Sequence, residues 1–441
     1  MQRRQNTMIL VVDVGTSSVR AALVRGDATV AHEEQRPLLP ASPAPGLVEF
    51  DATEMATVVL DAARAAIETA DATGDGVEAV GIANQRGSTV VWDRATGEPV
   101  GPGIGWQDLR TVGRCLELRA EQLRLGPNVS ATKLEHLLDI ADPERARDLC
   151  FGTVDSWMAW TLSEGAVHVT DATNAGITGL CEPDGLAWSD ETLDVLRIPA
   201  RMLPEVVDST GVVAAATALP GAPPIAGLVG DQQASLLGQG GVYTGDAKIT
   251  FGTGAMFDLV LGADPPEFAT RGPGGTFPIV CRRAGGIVTW GLEAIMLSAG
   301  TNVEWLRDDL GVIDTAAESH DVASACTSSG DVWFVPALLG LGTPEWDYGA
   351  RGTVLGLTRG TGRAELVRAV LEGVAHRATD LVEAAEHDSG IAVPRVRVDG
   401  GMSANPTFVQ LLADVSQRVV EVSPVLEATA LGAAFLAGLA V

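Results

Sequence analysis

Two carboxylates stand out by their position in the chain. Asp13 closes an apolar run in VVDVGTSSVRAALV (Val11 to Val24), and Gly15, Thr16 and Ser17 follow it. Asp231 follows an apolar run and a glycine in GLVGDQQASLLGQG. A carboxylate beside a turn of glycine and hydroxyl residues suits a polyphosphate. Amides and hydroxyls face the anion while the carboxylate holds Mg²⁺. A carboxylate at the C-terminal end of a strand sits where α/β proteins bind ligands, and it can accept the proton of an alcohol. Asp231 equally fits the N-cap of the helix predicted over QQASLLGQG, and the two roles are compatible.

Two further turns have the same character. Gly252, Thr253 and Gly254 interrupt two apolar runs in ITFGTGAMF, and Gly400–Gly401 lie between a β-branched run and a helix starting near Asn405. One such turn alone is more simply a tight turn. Three in order, each after an apolar strand, favour anion binding by backbone amides. GIANQRGSTVVW and GPGIGWQDLRT bring polar and aromatic groups together at Gln85, Arg86, Trp106, Gln107, Asp108 and Arg110. An arginine beside an indole edge makes a polyol pocket with one flat apolar wall. A surface turn closed by an Asp108–Arg110 salt bridge is the competing reading.

Strand and helix signals alternate around these residues. MILVVDVG and VRAALVRG predict paired strands about the first turn. ATEMATVVLDAARAAIETA has helical apolar spacing, with Asp51 or Thr53 as its cap. VEAVGIANQ and Ile225–Val229 predict buried strands, and EATALGAAFLAGLAV predicts a small-residue helix. The class is α/β, with helices covering a mixed sheet. The two Gly-Thr turns, each near the start of about half the chain, suggest two domains of related design.

At 441 residues the chain exceeds one ordinary core. With 30 basic against 57 acidic residues, its net charge of −27 disfavours nucleic acid and anionic lipid. The only lysines, Lys133 and Lys248, lie outside any P-loop pattern. Five scattered cysteines without a C-x-x-C pair point to a reducing compartment. The first apolar run is broken by Asp13 and lacks a cleavage site, so a strand is expected there, no membrane span, and a cytoplasmic protein.

These segments, with DSWMAWTLSEGAVHVTDATNAGITGL, RGTVLGLTRGTGRAELVRAVLEGVAHRATDLVEA and VRVDGGMSANPTFVQLLADV, resemble the FGGY carbohydrate kinases from residue 8 to 441, and most of all their glycerol kinase branch. The resemblance implies two actin-like, ribonuclease-H-like domains around a central cleft, divided as 8–238 and 245–441. It implies ATP and Mg²⁺, and phosphorylation of a primary hydroxyl of a small polyol or sugar. Glycerol is the default acceptor, and a larger polyol or a pentulose such as xylulose the alternative. By position it implies Asp231 as general base, with Asp13 and Asp231 at the metal. Thr16, Ser17 and Arg20 fall at the phosphates, and Thr253, Gly300, Glu304, Gly401 and Asn405 at the nucleotide. Arg86, Gly87, Trp106, Asn128, Asp231, Gln232 and Met256 fall at the polyol. A weakly held homodimer is also expected.

The chain departs from that branch at several of these positions. It has QRGS where the branch has QRET, so Gly87 replaces a glutamate that grips a glycerol hydroxyl. Asn128 stands for a tyrosine, Met256 for a phenylalanine and Glu304 for a glutamine. Losing a buried polar partner costs about 1–3 kcal/mol, so weaker glycerol binding is expected if nothing compensates. The smaller residue also predicts free volume near Gly87 for a longer substrate. A catalytically silent sugar sensor and a chaperone-like or filament-forming ATPase are the readings from other classes. The Gly-Asp-Gln-Gln setting of Asp231 favours the kinase.

Overall fold

The first apolar run forms β1 (Thr7–Val14), and the Gly15–Ser17 turn folds it back into β2 (Ser18–Arg25). β3 (Val30–Pro37) continues the antiparallel meander. β4 (Gly76–Asn84) then lies parallel to β1 on its other side, setting Asp13 beside Ala83 and Val14 beside Asn84. After β5 (Thr210–Ala215), β6 (Pro224–Gly230) pairs parallel with β4 and sets Gly230 beside Asn84. The order is β5-β6-β4-β1-β2-β3. Three neighbouring parallel strands therefore end at one level, and Gly15, Gln85 and Asp231 follow them directly.

This computed structural model describes residues 7–182, 187–425 and 427–441. They form two α/β units. One comprises the chain up to Gly238 with Val280–Thr289 and Glu427–Val441; the other comprises Gln239–Ile279 and Trp290–Leu426. The closing helix thus packs with the first unit, although it follows the second in sequence.

The helix Ala52–Thr73 starts at Asp51, whose carboxylate accepts from the amides of Thr53 and Glu54 at 2.8 and 3.0 Å. Of the two expected caps, Asp51 is the one used. Its Met55, Val59, Ala62, Ala66 and Ala70 recur at helical spacing and are buried in the sheet's core. The closing helix Ala428–Leu439 approaches strands β4 and β6 more closely than side chains would allow. A Cβ on Gly81 would sit 2.7 Å from the Ala433 carbonyl oxygen, and one on Gly227 2.8 Å from the Ala437 nitrogen.

A second six-stranded sheet repeats the plan. β7 (Ala247–Phe251) turns through Gly252–Gly254 into antiparallel β8 (Ala255–Gly262). β9 (Phe277–Ala284) leads to β10 (Ile287–Met296), which pairs antiparallel with β8. β11 (Arg395–Asp399) lies parallel to β7, and β12 (Val419–Val422) parallel to β11. Each sheet thus has a leading strand with an antiparallel hairpin partner on one side and a parallel strand on the other. That is the related design the two turns suggest. Lys248 and Asp258 face each other across β7 and β8 as a fully buried pair at 3.0 Å. Among the described residues no helix is long and apolar enough to cross a membrane.

Candidate active site

Asp13 is the penultimate residue of β1, opposite Arg20 on β2. It keeps some accessible surface but is ringed by protein. Burial, reinforced by the negative charge of Asp231, pushes its carboxyl up to about 7, against the opposing pull of Arg20. Arg20 is shared with Glu33 at 3.7 Å. Two carboxylates in one field, incompletely neutralised, fit a hard divalent cation. Mg²⁺ typically takes one or two carboxylates and fills its other positions with water and phosphate oxygens. Among the described residues no group of three or more His, Cys, Asp or Glu forms a metal cage.

Asp231 is the first residue of the helix Asp231–Gly238. Its Oδ1 accepts from the Gln232 amide at 2.8 Å and lies 3.6 Å from Nε of Arg86, which is only 9% exposed. Arg86 follows β4 by two residues, so the pair joins the ends of neighbouring strands. The arginine's stem lies against Gly230, where a Cβ would meet its Cδ at 2.6 Å. The Trp106 indole donates to Thr16 Oγ1 at 3.1 Å, and Gln85 Nε2 donates to the Gly15 carbonyl at 3.2 Å. The Gly15–Ser17 turn thus shares direct bonds with Trp106 and Gln85. Ser17 is exposed at the tip of that turn.

Gly87 corrects one expectation. Its φ is +71°, and a Cβ there would lie 2.6 Å from the Asn128 carbonyl oxygen. The place where a side chain would begin is taken by backbone, so the glycine does not simply leave the room of a missing side chain there. Lys133, fully buried, closes this corner. Its Nζ donates to the carbonyls of Gly87 and Asn128 at 3.3 and 3.1 Å, and Ser130 Oγ adds a bond to Gly87 O at 3.2 Å. Burial pushes the Lys133 ammonium down to about 7. Asn128 Nδ2 donates to the Trp106 carbonyl at 3.1 Å. Asp108 and Arg110 do pair, at 2.8 Å, but as a buried brace and not a surface turn. Asp108 also accepts from the Val48 amide, and Arg110 reaches Glu49.

Within the second unit, Thr253 and Gly300 come together. The amides of Ala299 and Gly300 donate to the carbonyls of Thr253 and Gly252 at 2.9 and 3.0 Å. Gly400, at φ +83°, lies so close to the Phe251 carbonyl that no Cβ fits between. Met256 is half-buried on β8, opposite Thr250, and Glu304 is exposed at the end of the short helix Gly300–Glu304. Asn405 caps the helix Pro406–Ser416 by accepting from the Phe408 amide at 3.0 Å, and its amide nitrogen donates to Ser319 at 2.9 Å.

Sequence reasoning gave no role to a buried network behind β4 and β6. Asp171 accepts from Thr173 N and Oγ1, Asn174 N and Nδ2, and Ser209 Oγ, all at 2.7–3.1 Å. Asp155 in turn accepts from the Asp171 amide at 3.0 Å and from Thr170 and Thr153. Burial and the charge of Asp171 push Asp155 up to about 7. Burial raises the Asp171 carboxyl as well, and its five donors pull the other way. The segment TDATNAG carried a signal: an Asp followed by two side-chain donors in an apolar stretch. Its partners are distant in sequence.

Residues 8–238 match the FGGY family of carbohydrate kinases, N-terminal domain, and residues 247–441 match the C-terminal domain of the same family. A glycerol kinase of Shewanella oneidensis is 41% identical over 459 residues, which cover 99% of this chain and 91% of the relative. One of Aromatoleum aromaticum is 42% identical, covering 98% and 90%. Among solved structures, Plasmodium falciparum glycerol kinase with ADP superposes with a TM-score of 0.92 at 29% identity, covering 98% of this chain and 89% of that one. A xylulose kinase of Rhodospirillum rubrum gives 0.82 at 24% identity, covering 98% and 90%, a likeness of fold alone.

Proposed function

Since the chain belongs to the FGGY family of carbohydrate kinases, we propose that it transfers the γ-phosphoryl group of ATP to a primary hydroxyl of glycerol. The observation that carries this reading is the placement of Asp231, Asp13 and Arg86 at the ends of neighbouring parallel strands. There Asp231 can serve as proton acceptor beside a turn suited to phosphate.

Asp231 accepts the hydroxyl proton as the alcohol oxygen bonds to the γ-phosphorus and the bond to the departing ADP oxygen breaks. Arg86, held against Asp231, orients that carboxylate and donates to the acceptor's hydroxyls. Trp106 provides the flat wall, and Gly87, Asn128, Gln232 and Met256 complete the polyol contacts. Thr16, Ser17 and Arg20 hold phosphate oxygens. Thr253, Gly300, Glu304, Gly401 and Asn405 hold the rest of the nucleotide. Asp13 and Asp231 hold Mg²⁺, which when bound supplies charge neutralisation at the phosphates. Residues 8–238 are assigned to the acceptor and the phosphate turn, 245–441 to the nucleotide, and the protein to the cytoplasm.

Retention of both carboxylates argues against a silent sensor. The Asn128 carbonyl, close to where a Cβ on Gly87 would sit, gives no sign of room opened there for a longer acceptor. The test is ATP- and Mg²⁺-dependent phosphorylation across glycerol, four- and five-carbon polyols and pentuloses. Glycerol is expected to give the highest kcat/KM. A pentulose preference, or no turnover with any acceptor, would reject the reading.

A further inference from the structure

We propose that Asp171 is a positioning residue for phosphoryl transfer: through Thr173 and Asn174 it anchors the ends of β6 and β4, and so fixes where Asp231 and Arg86 stand. The inference rests on the reading of Asp231 as the general base.

Two branches leave the same carboxylate. In the first, Thr173 Oγ1 donates to Asp171 Oδ1 at 2.8 Å and accepts from the Gly230 amide at 2.8 Å. Gly230 is the residue before Asp231. In the second, Asn174 Nδ2 donates to Asp171 Oδ1 at 3.0 Å and to Asn84 Oδ1 at 3.1 Å, while Asn84 Nδ2 returns a bond to Asn174 Oδ1 at 2.9 Å. Asn84 Nδ2 also donates to the carbonyl of Gln85, the residue before Arg86, at 2.8 Å. Asp171, Thr173, Asn174 and Asn84 are all essentially inaccessible to solvent.

The arrangement has a direction. A hydroxyl that donates its only proton to a carboxylate must turn its lone pairs elsewhere, and here they meet the Gly230 amide. The carboxylate acceptor fixes the rotamer of that hydroxyl. The carboxylate therefore settles the orientation of both partners, and neither branch has an alternative of equal strength. Ser209 Oγ, bonded to Asp171 Oδ2 at 2.7 Å, ties the anchor to the segment leading into β5. The only groups between the anchor and the proposed base are one hydroxyl and one peptide. A small displacement of the anchor therefore reaches Asp231, and reaction rates are steep in such displacements.

The main test uses Thr173→Val and Thr173→Ser, each alone and combined with Asp231→Asn, with Asp171→Asn alongside. These variants are assayed for kcat and for both KM values at a temperature where each is folded. Thr173→Val is expected to lower kcat about tenfold or more while the KM for ATP stays within about twofold, and Thr173→Ser to restore it. In the Asp231→Asn background Thr173→Val is expected to add no further loss. A merely structural role would scale both backgrounds equally through the fraction of active molecules. If Thr173→Val stays within about twofold of wild type while Asp231→Asn is inactive, the positioning role is overturned and the base stands. If Asp231→Asn keeps full activity, the base assignment fails and this inference with it. An additive loss in the double variant also overturns the positioning role.

Discussion

Nε of Arg86 lies 3.6 Å from Oδ1 of Asp231, across the ends of β4 and β6. Neither residue is near the other in sequence. The contact exists because two parallel strands finish in register and each releases a charged residue on leaving the sheet. The arginine is packed by its stem against Gly230, which sets the direction from which its guanidinium approaches the carboxylate. The charge of Asp231 also acts on Asp13, whose carboxyl it helps to raise.

The first prediction concerns the base. Asp231→Asn keeps the shape and removes the proton acceptor. Turnover should fall about 10²–10⁴-fold, the usual contribution of a general base, with ATP binding nearly unchanged. Steady-state kinetics and calorimetric titration with ATP check both halves. Full activity in the variant would remove Asp231 from the chemistry.

Asp13 predicts a link between pH and magnesium. Its folded carboxyl titrates at about 7 against 3.8 for the free group. Between those values the unfolded chain gives up its proton first, so this group's contribution to stability falls as pH rises from about 4 to 7. Asp13→Asn should therefore melt higher than wild type at pH 8 without metal, and match it at pH 4. Mg²⁺ should raise the melting temperature of wild type more at pH 8 than at pH 6, because protons compete for the site. A magnesium response that persists in Asp13→Asn would contradict the assignment.

Gly87→Glu introduces the side chain that the family resemblance leads one to expect at this position. The backbone at φ +71° and the Asn128 carbonyl 2.6 Å from the new Cβ both oppose it. The variant should lose about 1–3 kcal/mol of stability and gain nothing toward glycerol. Chemical denaturation and the acceptor KM measure this. Improved glycerol turnover at unchanged stability would show that the loop relaxes freely.

Lys133 should matter to the acceptor and not to the nucleotide. Lys133→Met leaves the carbonyls of Gly87 and Asn128 without this donor. The acceptor KM should rise several-fold while the ATP KM holds. The burial-depressed ammonium adds a second signature. The unfolded lysine takes up a proton below about 10.5 and the folded one only below about 7. This group therefore makes stability rise with pH across that window, and the variant should lose the slope. Melting curves from pH 7 to 10 decide it.

Much of this site is visible in the linear chain. Asp13, Asp231 and the glycine turns each sit where an apolar run stops, and strand ends are marked by that change of composition. The repeat of a Gly-Thr turn in each half also anticipates two sheets of one design, because a hairpin is a local structure. The helix after Asp51 follows from spacing alone, while the choice of Asp51 over Thr53 as its cap does not.

Other features needed the folded chain. That a carbonyl stands close to Gly87, that Lys133 is buried against it, and that Asp171 serves two strand ends depend on residues far apart in sequence. Such contacts arise when parallel strands are laid side by side by long crossovers, and their partners leave no local pattern. The sequence alone determined which residue types stand at the strand ends. The tertiary structure decided which of them share an electric field, since the Coulomb interaction depends on distance through space and on burial, not on separation along the chain.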